Sequence, residues 1–452
     1  MIKEEVIINP KNFFAFEKKN ELFKIKYKNI FIWDIIRFDV YYKLLWKLKS
    51  ITPKEQKSFS KLSVLKEISF FIISFFFKKY DIMFFTASRN KNSNGDFFDQ
   101  NLEDIIIQYP KAVCFESYER NIEKLKNKQI TVFNPIIFFR ILGRFFYRKI
   151  DFTEIVNLIE TEFKTSSIEN KEINKLIIQF QIDYKFYLLL FRFKKPKVIF
   201  ITQNGIQKGL FAAATKLMIP VIEVQHGLID EGHLGYNYNS NIHYKQEQIY
   251  LPTYFFSFTE FWFKDLFFPV KEILSMGNSF FYNSSAENIG SENNFNGLLV
   301  ASSDVFGEDL KKIIIQFSKK MNNIPIYFKL HPNQFAEKQY YINQCLNYPN
   351  IKIYTDEYSI YELLAISKSV LGIQSTVLYE ALHLKKIAII YKKQTYYRHR
   401  NIFDKKNVFL INGVDDLIKA YNNTYVESIE TQNLYFKKFE TEFFLKFINN
   451  IV

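Results

Sequence analysis

The sequence predicts an α/β protein built from two parallel-sheet domains, and three observations carry that expectation. At 452 residues the chain is too long for one hydrophobic core of ordinary size. From Leu298 to Tyr421 short apolar runs alternate with amphipathic stretches, the rhythm of a parallel sheet covered by helices on both faces. Upstream lies a further β-α-β unit, Val198–Thr202, Leu210–Leu217 and Val221–Val224, and the polar stretch Asn283–Asn296 separates the two halves. The domains expected are a helical region over 1–80 packing on the first α/β domain, that domain over 81–285, a second over 286–430, and a helix over 431–452 placed to cross back.

The elements follow in order. Phe31–Leu48 sets Asp34, Arg37 and Lys43 among apolar positions at helical intervals, and Leu62–Phe77 reads as a second helix after the break at Pro53. The longest apolar run, Ile68–Phe77, has about half the length of a membrane span. Both core packing and an interfacial helix stay open for it. Asp81–Thr86 and Ala112–Phe115 read as strands. In Ile136–Lys149, Arg140, Arg144 and Arg148 recur every four residues on one helical face, which suits either an anionic membrane surface or a solvated face over a core. Phe152–Phe193 is helical, and Gly205 and Gly209 form an incomplete phosphate loop. Tyr254–Phe258 is another strand. In the C-terminal half the expected strands are Leu298–Ala301, Ile324–Leu330, Ile351–Tyr354, Val370–Ile373, Ile387–Tyr391 and Val408–Ile411. Ser359-x-x-Glu362 opens a helix as a capping box.

Composition narrows the function classes. Sixty-one basic residues against 47 acidic ones leave a net charge of +14, a surface that attracts phosphates, acidic polymers or anionic lipid. No nucleic-acid-binding motif accompanies that charge, so nucleic acid is not an expected partner. Two isolated cysteines, Cys114 and Cys345, exclude a disulfide framework or a zinc site and suit a reducing cytoplasm. The start, MIKEEVIINPKNFF, places charges where an export signal needs an apolar core, so no such signal is expected.

Candidate chemistry sits at strand ends. The apolar run Val221–Val224 breaks at Gln225-His226-Gly227, where glycine is expected to permit a sharp turn, and Asp230, Glu231 and His233 follow in the same loop. Lys329 and His331 end a strand before Pro332 and are phosphate-binding candidates. Ser375 and Thr376 close a strand and open Val377–Leu382, as an anion site or as a simple cap. Glu380, one turn further on, is a candidate acceptor for a ribose diol.

These motifs in this order, QHG, then GNS after Met276, then KLHPN, then GIQSTVLYEAL before KKIAIIY, resemble the bacterial CDP-glycerol glycerophosphotransferase and capsule-polysaccharide transferase group. The resemblance covers roughly Lys197–Tyr391, with a faint echo at Trp33–Arg37. It implies a GT-B fold, two Rossmann-like domains facing a cleft with extra N-terminal helices, the first for the acceptor and the second for the nucleotide donor. Residue by residue it implies His226 as the catalytic-loop histidine, His331, Ser375 and Thr376 on the donor phosphate, and Gly277-Asn278 after the interdomain strand. Ile373-Gln374 departs from the pair that the group often carries before its Ser-Ser. Asp230-Glu231-Gly232 resembles the acidic motif of bacterial sialyltransferases, so either His226 or Asp230, with Glu231 beside it, is the expected base. Gln225 and His233 become acceptor contacts.

The function expected is transfer of a sugar or polyol phosphate from a CMP-, CDP- or UDP-activated donor to a hydroxyl of a lipid-linked or nascent capsule, O-antigen or other surface glycan. A cytoplasmic enzyme peripheral to the inner membrane surface is expected. No cofactor is expected, and no metal is implied because no Asp-x-Asp occurs. A GT-B-shaped sugar-nucleotide epimerase and a non-enzymatic anionic-polymer binder are the alternatives.

Overall fold

The computed structural model describes residues 8–46, 80–92, 94–116, 124–143, 147, 149–165, 167–202, 207–286, 296–426 and 434–452. The expected helix Leu62–Phe77, Arg144, Arg148, Gly205 and most of Asn283–Asn296 lie outside the described residues. The chain divides into two units. Unit 1 comprises Met1–Ser257, Phe263–Ser275 and Glu440–Val452, and unit 2 comprises Phe258–Trp262 and Met276–Phe439.

Unit 1 is organised on a parallel sheet of β1 (Ile82–Phe85), β2 (Val113–Glu116), β3 (Thr131–Phe133), β4 (Val198–Ile201), β5 (Val221–Val224), β6 (Tyr254–Ser257) and β7 (Glu272–Ser275). Its order is β7-β6-β5-β4-β1-β2-β3, the doubly wound arrangement whose winding reverses between β1 and β4. Strands buried on both faces read as unbroken apolar runs, as β1 and β4 do. Glu223 breaks that rule, a fully buried carboxylate in the middle of β5. β3 has no counterpart among the expected strands, because three residues are too few to show a period.

Helices α1 (Pro10–Lys19) and α2 (Trp33–Trp46) precede the sheet. Asn9 caps α1 by accepting from the Asn12 N–H, and Pro10 stands where a missing N–H is harmless. α2 buries most of its circumference because its polar residues are matched: Trp33 Nε1 and Arg37 Nε each donate to Glu17 Oε1 of α1 at 2.8 Å. Asp34 accepts from Lys208 Nζ at 3.0 Å, the Tyr238 hydroxyl at 2.7 Å and the Tyr250 N–H at 2.7 Å. The Trp33–Arg37 segment is thus a buried polar lattice tying α1, α2 and the connection after β5 together.

α3 (Ile136–Gly143) carries the first of the three spaced arginines. Its Arg140 donates bidentately to Asp183 of α4 (Asn170–Lys194), at 2.7 and 2.6 Å. The guanidinium therefore faces α4 and is not part of a basic outer stripe, which corrects the expected face. Gly209 lies in α5 (Lys208–Lys216), where a Cβ would come within 2.5 Å of the Asp183 Cβ. It serves close helix packing rather than a phosphate loop.

Unit 2 carries β8 (Gly297–Ala301), β9 (Ile326–Lys329), β10 (Ile351–Tyr354), β11 (Ser367–Gly372), β12 (Ile387–Tyr391) and β13 (Val408–Ile411). These strands are parallel, in the order β10-β9-β8-β11-β12-β13, with the reversal between β8 and β11. α6 (Gly307–Lys320), α7 (Ile360–Ala365) and α8 (Val377–His383) cover it, and the expected capping box opens α7: Ser359 Oγ accepts from the Glu362 N–H while Glu362 accepts from the Ser359 N–H. Trp262, distant in sequence, seats in this unit by donating from Nε1 to the Tyr435 carbonyl at 2.9 Å and packing 4.8 Å from the Tyr379 ring.

The last helix, α9 (Thr441–Ile451), belongs to unit 1. Its Phe447 packs on Tyr254 and Phe256 of β6, and Phe444 on Phe200 of β4. Among the described residues no helix is long and apolar enough to cross a membrane.

Candidate functional site

In doubly wound sheets ligands bind beyond the carboxyl ends of the strands, at the reversal. In unit 2 that edge presents the ends of β9, β8 and β11, neighbours in the sheet. Lys329 ends β9, but its ammonium donates to the carbonyls of Thr355 and Tyr358, and burial lowers its pKa. It holds the loop after β10. His331 follows, and its Nδ1 accepts from the Asn333 N–H at 3.2 Å. A neutral imidazole that accepts at Nδ1 carries its proton on Nε2, so His331 presents an N–H donor.

Beyond β11, Ser375 Oγ accepts from the Val377 N–H at 3.2 Å, while the Ser375 N–H donates to His399 Nε2 at 3.3 Å. The Thr376 carbonyl receives the N–H groups of Tyr379 and Glu380 as α8 begins. Glu380 is 6% exposed, and its Oε2 has no hydrogen-bond partner among the described residues. Burial raises its pKa to about 7, opposed by a hydrogen bond from the Tyr361 hydroxyl. A buried acceptor left unmatched costs about 1–3 kcal/mol, and Glu380 Oε2 shares that state with other buried atoms of this unit such as Ser369 Oγ and Thr395 Oγ1.

Gly277 has φ +79, and a Cβ there would lie 2.3 Å from the Lys438 carbonyl oxygen. The Asn278 N–H donates to the Lys437 carbonyl at 2.9 Å, and Asn278 Oδ1 accepts from the Phe281 N–H at 3.1 Å. These contacts dock the 437–438 backbone and start the helix Ser279–Ala286.

Residues absent from the sequence reading also stand on this edge. Arg398 is buried and reaches Gln374 Oε1 from Nη1 at 3.3 Å. His399, fully buried with its pKa lowered to about 3 by that burial and by Arg398, lies 3.2 Å from the Tyr379 hydroxyl. Ser302 and Ser303 follow β8, and Ser302 Oγ donates to Gln334 Oε1 at 2.7 Å. Two serines directly after a strand were a readable signal once the strand order was known. Arg398 and His399 sit in a short 3-10 helix, Tyr396–Ile402, kinked at His399, that offered none.

In unit 1 the expected loop lies beyond β5. Gln225 is fully buried and folds back, its Nε2 donating to the Gly227 carbonyl at 2.9 Å. Gly227 keeps an ordinary φ with open space around a Cβ, so the turn does not depend on glycine, contrary to expectation. Asp230 Oδ1 accepts from the Gly232 N–H at 2.7 Å and its carbonyl from the His233 N–H at 3.0 Å, which shapes the loop. The Glu231 carbonyl accepts from Asn237 Nδ2 at 2.7 Å. His226 and His233 both pack on Tyr236, with ring centroids 6.2 and 4.6 Å away. Burial, and then the charge of Arg89, lower the His226 pKa to about 4. His226 is therefore neutral at pH 7, the state a base requires.

Two doubly wound parallel α/β units place the chain in the GT-B class, and solved structures agree. Two structures of UDP-GlcNAc 2-epimerase from Methanocaldococcus jannaschii are similar, at 15% and 14% identity with TM-scores of 0.50 and 0.51, each match covering 82% of this chain and 99% of the other. A co-structure of S. aureus MnaA with UDP is similar at 11% identity and a TM-score of 0.50, covering 83% of this chain and 98% of that one. At such identities the likeness is one of fold. Residues 300–404 match the family model described as capsule polysaccharide biosynthesis protein. No curated protein sequence matches the chain. Family match and fold together support an enzyme of surface-polysaccharide biosynthesis on a GT-B frame.

Proposed function

We propose that the chain is a glycosyltransferase, or a glycerophosphotransferase-like enzyme, that moves a sugar or polyol phosphate from a CMP-, CDP- or UDP-activated donor to a hydroxyl of a growing surface glycan. The observation that carries the reading is Glu380, a buried carboxylate with one unmatched oxygen, next to the Gln374–Thr376 turn at the reversal edge of unit 2. A ribose diol supplies the two O–H donors such a group accepts. The family match spans the same strands.

In this mechanism His331 donates from Nε2 to the leaving phosphate, with Ser375 and Thr376 on the same group. Hydrogen bonds to that phosphate strengthen as its negative charge grows, so they favour the transition state over the bound donor. His226, neutral at neutral pH, removes the acceptor proton, and Asp230 shapes its loop. Lys329 contributes by holding the loop after β10.

The same proposal places the enzyme at the inner face of the cytoplasmic membrane, on a lipid-linked or nascent glycan. Phe139, Ile141 and Leu142 of α3 and Leu189 and Phe193 of α4 are exposed, and Arg192 and Lys195 are exposed beside them. Apolar side chains next to cations suit an anionic lipid surface.

A thermal-shift series against CMP, CDP, UDP and GDP tests the donor reading. A nucleotide held by the native state raises the melting point with the logarithm of its concentration. A cytidine or uridine nucleotide is expected to do so in wild type and not in Glu380→Gln or His331→Ala. If no nucleotide shifts wild type, the donor reading fails. Turnover of the bound donor without any acceptor, giving an epimer, would replace transfer by epimerisation.

A further inference from the structure

Glu223 is a carboxylate in the centre of a buried strand, and the mechanism above does not use it. Its Oε1 accepts the hydroxyl proton of Tyr236, which is 1% exposed. The same Tyr236 oxygen lies 3.3 Å from His226 Nδ1. A phenol has one proton to give. With that proton directed to the carboxylate, the stronger acceptor, only lone pairs remain toward His226. Nδ1 must then be the donor, and the proton of a neutral imidazole sits on Nδ1. Among the described residues, Arg89 from the loop after β1, His233 on the Tyr236 ring, and Lys208, whose charge senses Glu223, also act on this triad.

We propose that Tyr236 and Glu223 are positioning residues that hold His226 as its Nδ1–H tautomer and leave Nε2 unprotonated as the proton acceptor. This deepens the transferase reading, and rests on it only for the identity of the hydroxyl that Nε2 deprotonates. The chain Nδ1–H to Tyr236, Tyr236 O–H to Glu223, also directs the ring, since Nδ1–H must point at a phenol oxygen that its own bond to Glu223 holds in place. As Nε2 takes a proton, the growing imidazolium charge is met through Tyr236 by the buried carboxylate. An unpolarised tyrosine would not provide that.

The test is a two-bond proton–nitrogen correlation spectrum of the full chain labelled with ¹⁵N-histidine, recorded from about pH 5 to pH 8, the range in which an ordinary histidine titrates. Comparison with His226→Asn assigns the His226 signals among the six histidines. The expected spectrum has a protonated Nδ1 and an unprotonated Nε2, unchanged across the range. Tyr236→Phe should lose this pattern and give a mixture dominated by Nε2–H, and Glu223→Gln should weaken it. A wild-type His226 protonated on Nε2 overturns the proposal, as does an unaltered pattern in a folded Tyr236→Phe. If neither variant folds, the wild-type spectrum alone decides. No nucleotide enters this measurement, so failure of the donor reading leaves it intact, and a wrong tautomer leaves the nucleotide result intact.

Discussion

Arg37 Nε lies 2.8 Å from Glu17 Oε1 with both side chains 1% exposed or less, and the same guanidinium donates to the carbonyls of Leu234 and Asn237. One buried ion pair thus links the first two helices to the loop that follows β5. Removing one partner strands the other charge in the core, which costs about 3–5 kcal/mol. Arg37→Met should lose about that much in urea denaturation. The double variant with Glu17→Leu should lose clearly less than the two single losses summed. Strict additivity would show that the pair is not coupled.

Glu380 makes stability depend on pH in the unusual direction. Its native pKa of about 7 lies above the ordinary 4.5, so between these values the native state holds a proton that the unfolded chain releases. Stability should therefore fall as pH rises from 4.5 to 7, by about 3 kcal/mol in all, and level off above. His226 and His399, lowered to about 4 and 3, act oppositely below about pH 6.5. The difference between wild type and Glu380→Gln isolates the glutamate. That variant should be the more stable at pH 8 while losing nucleotide binding, and a difference flat in pH would refute the assignment.

Lys329 separates bracing from direct ligand contact. Because its ammonium is held by the Thr355 and Tyr358 carbonyls, Lys329→Met leaves the buried Thr355 oxygen unmatched while water can meet the exposed Tyr358 oxygen, and it should destabilise by about 1–3 kcal/mol. Nucleotide affinity should fall less than in His331→Ala. A variant of wild-type stability that no longer binds would make Lys329 a direct contact instead.

Leu142 and Leu189 are 62% and 61% exposed, so Leu142→Asp with Leu189→Asp should change folding stability by no more than about 0.5 kcal/mol per site. Wild type is expected to float with vesicles containing phosphatidylglycerol and the double variant to remain behind. Wild type that ignores such vesicles would remove this surface from the proposal.

Much of the architecture was legible because fully buried parallel strands announce themselves. Val198–Ile201 and Ile387–Ile390 are uninterrupted apolar runs, each preceded by lysine, and Ser359 and Glu362 declared a helix start. What escaped was long-range. Trp33–Arg37 looks like an amphipathic helix with stray charges until Glu17, Lys208 and Tyr238 are brought to it. Arg140 scored as part of a basic face because Asp183, its partner, is 43 residues away. The loop after β5 was identified by its His and acids, yet the group bonded toward His226 is a tyrosine, and nothing local distinguishes Tyr236 from the other 28 tyrosines. Glu223 was the readable clue: an acid inside a strand otherwise made of valine and isoleucine requires a partner.

Trp262 carries a practical consequence. Phe258–Trp262 belongs to unit 2 although it lies between two strands of unit 1, and α9 returns to unit 1 after unit 2 is complete. A fragment cut at Met276 would lack the indole that fills the space beside Tyr379 and Tyr435. A fragment ending at Ser275 would expose Tyr254 and Phe256, which α9 covers. Neither half can be excised by that single cut, so a lone proteolytic nick between Ser275 and Met276 should leave a molecule that still behaves as whole until it is denatured.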